Sequence, residues 1–348
     1  MRRRRIASGV IAALMLSGLL AGPSAAQDAD TGGLVGPAAG DFTVPAAGGF
    51  EDEFLKYPLT VNGDYIPLIG PWCTGDQLEE YEPWVIWYAP GPAADHLWGL
   101  LEGEDDEVLV KSIPLTINGT YTPIVGDFDG NECPDILWYA PGTAKDSIWY
   151  GNPDGTWDSY PLTINGTYQA VVGSYDPITD KSEEEEEGCG AWCDDIFWYS
   201  TTGGTESIWL GHEDRAFVPA TAPQVSYSGY RIAAFADAAI FFHRPGTGAD
   251  YVWDGVIAGE STPEFSVQLK IDGTYEPYWA GVGLLLYAPG PATDRFITTI
   301  FEDGTFTSYN GTINGTYRVG STPGTWGWPV LLFHAPGTPP DSLWILGA

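Results

Sequence analysis

Residues 127–135 read DFDGNECPD, with oxygen-bearing side chains at alternate positions: Asp127, Asp129 and Asn131, then Asp135 at position nine. Position seven is Cys133, which can add its backbone carbonyl. Ca2+ takes six to eight oxygen ligands at about 2.3–2.6 Å, and alternation along a tight loop turns such oxygens inward. Asp127, Asp129, Asn131, the Cys133 carbonyl and Asp135 are therefore read as a Ca2+ loop. The alternative is an acidic turn closed by hydrogen bonds from side chain to backbone, with no metal. Other chemistry is sparse: the chain holds no HExxH, no GxSxG and no phosphate-binding loop.

A loop of this kind needs rigid strands at both ends, and the flanking sequence repeats as if to supply them. Segments from Val85 (VIWYAPGPAADHLW), Ile136 (ILWYAPGTAKDSIW) and Ile196 (IFWYSTTGGTESIW) return in altered form from Ile240, Leu284 and Leu331. Each is preceded by a turn ending in tyrosine, at Tyr65, Tyr121, Tyr168, Tyr230, Tyr275 and Tyr317. The mean spacing of about 50 residues lies in the range of propeller repeats. In the second unit, β-branched and aromatic runs between Pro-Gly, Asp-Gly and Asn-Gly pairs predict strands over 121–126, 136–139, 147–150 and 156–163. No stretch carries a long 3.6-residue apolar period, so helix should be scarce. The expected fold is all-β, a six-bladed β-propeller of four-stranded antiparallel blades. The sixth unit stops at DSLWILGA, after its third strand, while EFLKYPLTVNG from Glu53 matches a fourth-strand segment. The N-terminal strand should therefore complete the last blade and close the ring.

Side chains that recur at fixed repeat positions are assigned to the framework. Trp98, Trp149, Trp209, Trp253 and Trp344 share one position and Trp87, Trp138 and Trp198 another, as flat rings packed between blades would. Asp95, Asp146, Glu206, Asp250, Asp294 and Asp341 form a ring that fits capping of the hairpin between second and third strands. His243 and His334 stand where Tyr88, Tyr139, Tyr199 and Tyr287 stand in other units, which points to packing rather than catalysis. Asn-Gly-Thr triplets at Asn118, Asn165, Asn310 and Asn314 match the glycosylation pattern. Three of them fall at the inter-blade turn, where Asn-Gly suits the backbone angles.

Residues 1–26 read as a secretory signal peptide: Arg2 to Arg5, an apolar run from Ile6 to Ala21, and a small-residue site ending at Ala26. Residues 27–50, rich in Gly, Ala and Pro, read as a flexible linker, and 51–348 as the propeller. The expected location is extracellular, and no later stretch approaches the ~20 apolar residues of a spanning helix. The net charge is −33, with 47 acidic residues against 14 basic ones, and four of the basic ones lie in the leader. A surface so acidic repels nucleic acid and anionic lipid, and neither is expected as a partner. Four cysteines in an exported chain point to disulfides. Of three pairings, 73–133 with 189–193 is favoured. Cys133 and Cys193 hold equivalent places on adjacent units, further apart than the ~6 Å a bridge spans.

The segment VGDFDGNECPDILWYAPGTAKDSIW resembles the FG-GAP/VCBS repeat of integrin-α-type propellers and of many secreted bacterial proteins. The resemblance implies a Ca2+ loop with acidic residues at positions one, three, five and nine, bracing the blade. Position six, usually glycine in that family, is Glu132 here. The third unit keeps Asp176 and Asp195 around an insertion containing SEEEEEGCGAWCDD, and the other units have lost the loop. The resemblance also points to a non-enzymatic binding or adhesion module, which is expected to be a monomer recognising an extracellular protein or carbohydrate. The long loops 70–84, 102–108 and 174–195 are the candidate contact surface. Two alternatives stand beside it, a glycan-binding lectin-like propeller and a secreted glycosidase or polysaccharide lyase. NPDGTWDSY at Asn152 is similar to the Asp-box of sialidases, without the arginine clamp that would accompany it.

Overall fold

The computed structural model describes residues 49–75, 82–102, 108–176, 193–235, 238–321, 330–337 and 340–346. The expected signal peptide, nearly all of the linker, and a part of each of the three long loops (76–81, 103–107 and 177–192) lie outside the described residues. Among the described residues no helix is long and apolar enough to cross a membrane.

Twenty-four strands form six sheets of four, and the only helix described is a 3-10 turn at Phe50–Glu53. The first blade contains β2 (Ile66–Ile69), β3 (Glu82–Tyr88), β4 (Asp95–Glu102) and β5 (Val108–Leu115). The second contains β6 (Thr122–Gly126), β7 (Asp135–Tyr139), β8 (Asp146–Gly151) and β9 (Trp157–Leu162). The third contains β10 (Tyr168–Gly173), β11 (Asp195–Ser200), β12 (Ser207–Leu210) and β13 (Val218–Thr221). The fourth runs from β14 (Arg231–Ala234) to β17 (Phe265–Leu269), and the fifth from β18 (Glu276–Trp279) to β21 (Phe306–Gly311). In the sixth, β22 (Arg318–Ser321), β23 (Val330–His334) and β24 (Asp341–Leu346) are completed by β1 (Phe54–Leu59), antiparallel to β24 with Lys56 opposite Trp344. The six-bladed propeller and its closure by the N-terminal strand are thus as the repeat count predicts.

The repeated side chains hold the ring together in the same way from blade to blade. Asp95 accepts hydrogen bonds from the backbone N–H of Ala89 at 2.8 Å and of Ile117 at 2.7 Å. It thereby ties the hairpin between β3 and β4 to the crossover into the next blade. Asp146, Asp250, Asp294 and Asp341 make the same pair of bonds in their blades, all of them buried. A buried carboxylate is tolerated because each of its oxygens meets a backbone donor.

Tyr88 uses one hydroxyl twice, donating to the Gly119 carbonyl at 2.9 Å and accepting from the Tyr121 N–H at 2.8 Å. His243 and His334 fill this slot with different chemistry. Nε2 accepts from Tyr275 N–H at 3.2 Å and Tyr65 N–H at 3.3 Å, while Nδ1 faces Asp250 and Asp341 at 2.8 and 2.9 Å. An accepting Nε2 directs the Nδ1 proton to the facing carboxylate, so both rings serve as packing groups. The Asn-Gly turns, and Asp272-Gly273 in the same place, keep their glycines at positive φ, between 139° and 146° at Gly63, Gly119, Gly166, Gly273 and Gly315. The second-strand tryptophans Trp87, Trp138 and Trp198 are buried edge-on against Trp98, Trp149 and Trp209 of the third strands. First strands face one another around a central channel of about 440 Å3, walled by Pro67, Pro123, Ala170, Ile232, Pro277 and Val319 among others.

Candidate metal centre

The loop 127–134 connects β6 to β7, and its ends are fixed by the register of Gly126 opposite Asp135. One carboxylate oxygen from each of Asp127, Asp129 and Asp135 falls within 4.8 Å of the others. The three side chains are buried or nearly so, and this group can hold a metal ion. Its donors are hard oxygens, the set that suits Ca2+ or Mg2+ rather than a soft transition metal.

The loop is ordered by its own acids. The Asp127 carboxylate accepts from the backbone N–H of Asn131 at 3.1 Å and of Glu132 at 2.8 Å. Asp135 accepts from Phe128 N–H at 2.7 Å and from Gly151 N–H at 2.8 Å. Gly151 is required there: an added Cβ would lie 2.5 Å from the Pro134 carbonyl oxygen. Asn131 lies beside the acids, its amide donating to Asp129 at 3.1 Å and to the Gly151 carbonyl at 2.8 Å. A carboxylate oxygen has two lone pairs, so those holding one N–H each retain capacity for a cation.

Both neighbouring blades clamp this loop. Cys133 is bonded to Cys73 of the first blade, with Cα atoms 5.4 Å apart, as the sequence predicts. Cys193 is also disulfide-bonded, and its expected partner Cys189 lies outside the described residues. From the third blade, Asp194 accepts the Asp127 N–H at 2.8 Å and donates its own N–H to the Asp127 carbonyl at 2.7 Å.

A cation already reaches the loop, and sequence reasoning missed it. Arg215, in the hairpin between β12 and β13, pairs through Nε with Asp129 at 2.8 Å. Its other nitrogens bond Asp158 at 2.6 Å and the Asn152 side-chain oxygen at 2.8 Å, with Tyr150 beneath the guanidinium. The matching hairpin position in the second blade is Gly155, at φ 84°, and Arg215 adopts φ 61°. Arginine in a glycine slot was the available signal; its partner 86 residues away was not. Glu132 at φ 67° is the other non-glycine residue at positive φ among the described residues. Position six of the loop therefore makes a left-handed turn that glycine would make without strain, at a cost of order 1 kcal/mol.

Electrostatically the site is short of positive charge. Burial, reinforced by Asp129, pushes the Asp135 carboxyl up to about 9. Burial also pushes Asp127 up to about 7, against the opposing pull of the Glu132 N–H. Asp129 is raised by burial even with the Arg215 guanidinium beside it. Carboxyls held in this state bind protons near neutrality, and a divalent cation stabilises their ionised form instead. Compared with known families and curated proteins, the chain matches no family model and no curated sequence.

Proposed function

We propose that this protein is a secreted, non-enzymatic and monomeric binding or adhesion module of FG-GAP/VCBS type, with a structural Ca2+ site in its second blade. Asp127, Asp129, Asn131, the Cys133 carbonyl and Asp135 are its ligands. The convergence of three buried carboxylates in a loop tied to both neighbouring blades carries this reading. A Ca2+ ion there neutralises charge that Arg215 alone leaves uncompensated, and it fixes the edge of the first three blades. Those blades carry the long loops, and propellers place their binding surfaces on loops held by a rigid frame.

The test is calcium titration by calorimetry, followed by capture of glycans and cell-envelope fractions in Ca2+ and in EDTA. Stoichiometric Ca2+ binding abolished by Asp127→Asn with Asp129→Asn supports the site. Capture lost in EDTA assigns Ca2+ to the binding surface, and capture equal in both makes it a brace. Release of new reducing ends from any captured glycan would overturn the non-enzymatic reading.

A further inference from the structure

In the second, third and sixth blades the third-strand tryptophan packs against an aromatic ring from the fourth strand or its edge. Trp157 lies 6.0 Å from Trp149 in the second blade, and Phe217 lies 5.5 Å from Trp209 in the third. Phe54 lies 5.9 Å from Trp344 in the sixth, where Lys56 adds its ammonium 4.5 Å above the same ring. Register identifies the covering position: it pairs with the residue two beyond the tryptophan, as Trp157 pairs with Gly151 and Phe54 with Leu346. In the first blade the residue paired with Leu100, two beyond Trp98, is Val110. Val110 is exposed, and Ser112 stands directly opposite Trp98. What is a packed edge in three blades is therefore a pocket in the first, of about 340 Å3, closed on its far side by the strand end from the sixth blade.

The pocket has a consistent chemistry. Tyr65, Trp87 and Trp98 provide an aromatic wall, with Trp87 and Trp98 edge-on at 5.3 Å. Asn62, Thr60, Ser112 and His96 stand around it, and His96 is held by a 3.2 Å contact between Nδ1 and Ser112 Oγ. No aspartate, glutamate, lysine or arginine is among its lining residues, in a chain with 61 such side chains by the counts of 47 and 14. A charged ligand would lose its hydration there without gaining a partner. A wholly apolar one would leave the amide, hydroxyl and imidazole groups dry.

We propose that this pocket between the sixth and first blades binds a neutral pyranose, the terminal ring of a glycan, stacked on Trp98. The apolar C–H face of the ring lies on the indole, where an aromatic surface offers large contact area in a defined orientation. Its hydroxyls exchange water for Asn62, Ser112 and the free edge of His96. The pocket size is at the low end for small-ligand sites, about 300–1,000 Å3. One or two sugar rings fit it better than an extended chain. The site is on the opposite side of the first blade from the Asp127 loop, so it adds a ligand class to the binding-module reading without depending on Ca2+.

The experiment is saturation-transfer NMR with tryptophan fluorescence, on the folded protein. The probes are methyl glycosides of glucose, galactose, mannose and N-acetylglucosamine, with methyl glucuronide as the charged control. At least one neutral glycoside should bind at ~1 mM, as one small ring in an open pocket does. Val110→Trp, which gives the first blade the covering ring of the second, should weaken that binding ~10-fold or more while the melting temperature holds or rises. Asn62→Ala with His96→Ala should weaken it without affecting calcium titration. Absence of binding by every neutral glycoside, equal binding of glucuronide, or indifference to Val110→Trp overturns the proposal. None of those outcomes touches calcium binding or capture of envelope fractions, which test the binding-module reading separately.

Discussion

In the second blade Asp135 accepts from the N–H groups of Phe128 and Gly151, at 2.7 and 2.8 Å; in the third, Asp195 accepts from Tyr175 and Gly211, at 2.6 and 2.9 Å. A disulfide-bonded cysteine precedes each, Cys133 two residues earlier and Cys193 likewise. The position held by Asp127 in one is Ser174 in the other. The third blade contributes Asp194 and Arg215 to its neighbour's loop. Two layers separate as a result. The bracket at Asp135 and Asp195 belongs to the fold, joining the loop to the end of the third strand. Asp127 and Asp129 converge beside Asp135 into a group that can hold a metal ion.

The comparison breaks most severely at the disulfide. Cys73–Cys133 closes a separation of 60 residues. Constraining the unfolded chain over such a loop is worth about 4 kcal/mol. Cys73→Ala with Cys133→Ala should lower the denaturation free energy by about that amount, read from urea titrations. It should also weaken calcium binding, because position seven of the loop loses its anchor to the first blade.

Next come the third-blade bracket and the acid that only the second blade adds. Asp195→Ala strands two buried N–H groups and should cost about 3 kcal/mol, at equal size in Ca2+ and in EDTA. Asp127→Asn should show the reverse dependence, small in EDTA and large in Ca2+. Saturating Ca2+ at a hundred times its Kd adds about 2.7 kcal/mol to the native protein, and the variant forfeits that. Equal behaviour of the two variants in the two conditions would erase the distinction between frame and cation site.

A pH scan sharpens the same contrast. Burial, with Asp176 adding to it, pushes the Asp195 carboxyl up to about 8. An acid whose folded pKa is raised is favoured in its protonated form. Its contribution is complete below the unfolded value of about 3.9 and is lost as pH climbs toward about 8. Over that window the wild-type protein should lose up to ~1 kcal/mol per pH unit relative to Asp195→Asn, which does not titrate. The gap in melting temperature between the two should therefore narrow from pH 5 to pH 8. A constant gap would mean that Asp195 is ionised throughout.

Legibility in the sequence followed the reach of each interaction. The blades, their number and the closing strand were readable because every blade repeats one local pattern, and Tyr88 or Asp95 has a counterpart wherever the fold needs it. The Asp127 loop was readable because its oxygen-bearing side chains lie within nine residues. The meeting of Arg215 with Asp129, Asn152 and Asp158 was not, since it depends on two hairpins lying side by side in space. The pocket beside Trp98 was hidden for a different reason. It arises from a residue that fails to match its counterparts, and Val110 looks unremarkable until its register against Leu100 is known.

The smallest effects should come from the two strained residues, and they separate turn from side chain. Glu132 and Arg215 both hold positive φ at the loop. Glu132→Gly removes a strain of order 1 kcal/mol and should stabilise the protein by about that much, with calcium affinity unchanged or improved. Arg215→Gly removes a similar strain but also the ion pair with Asp129, so its stability in EDTA should stay within about 0.5 kcal/mol of wild type. Its calcium affinity should rise, because Asp129 no longer shares its charge with a guanidinium. If Arg215→Gly instead lowers calcium affinity, the arginine shapes the loop rather than competing for it. The third blade would then contribute structure to the cation site, and the division between the two blades would have to be redrawn at Arg215.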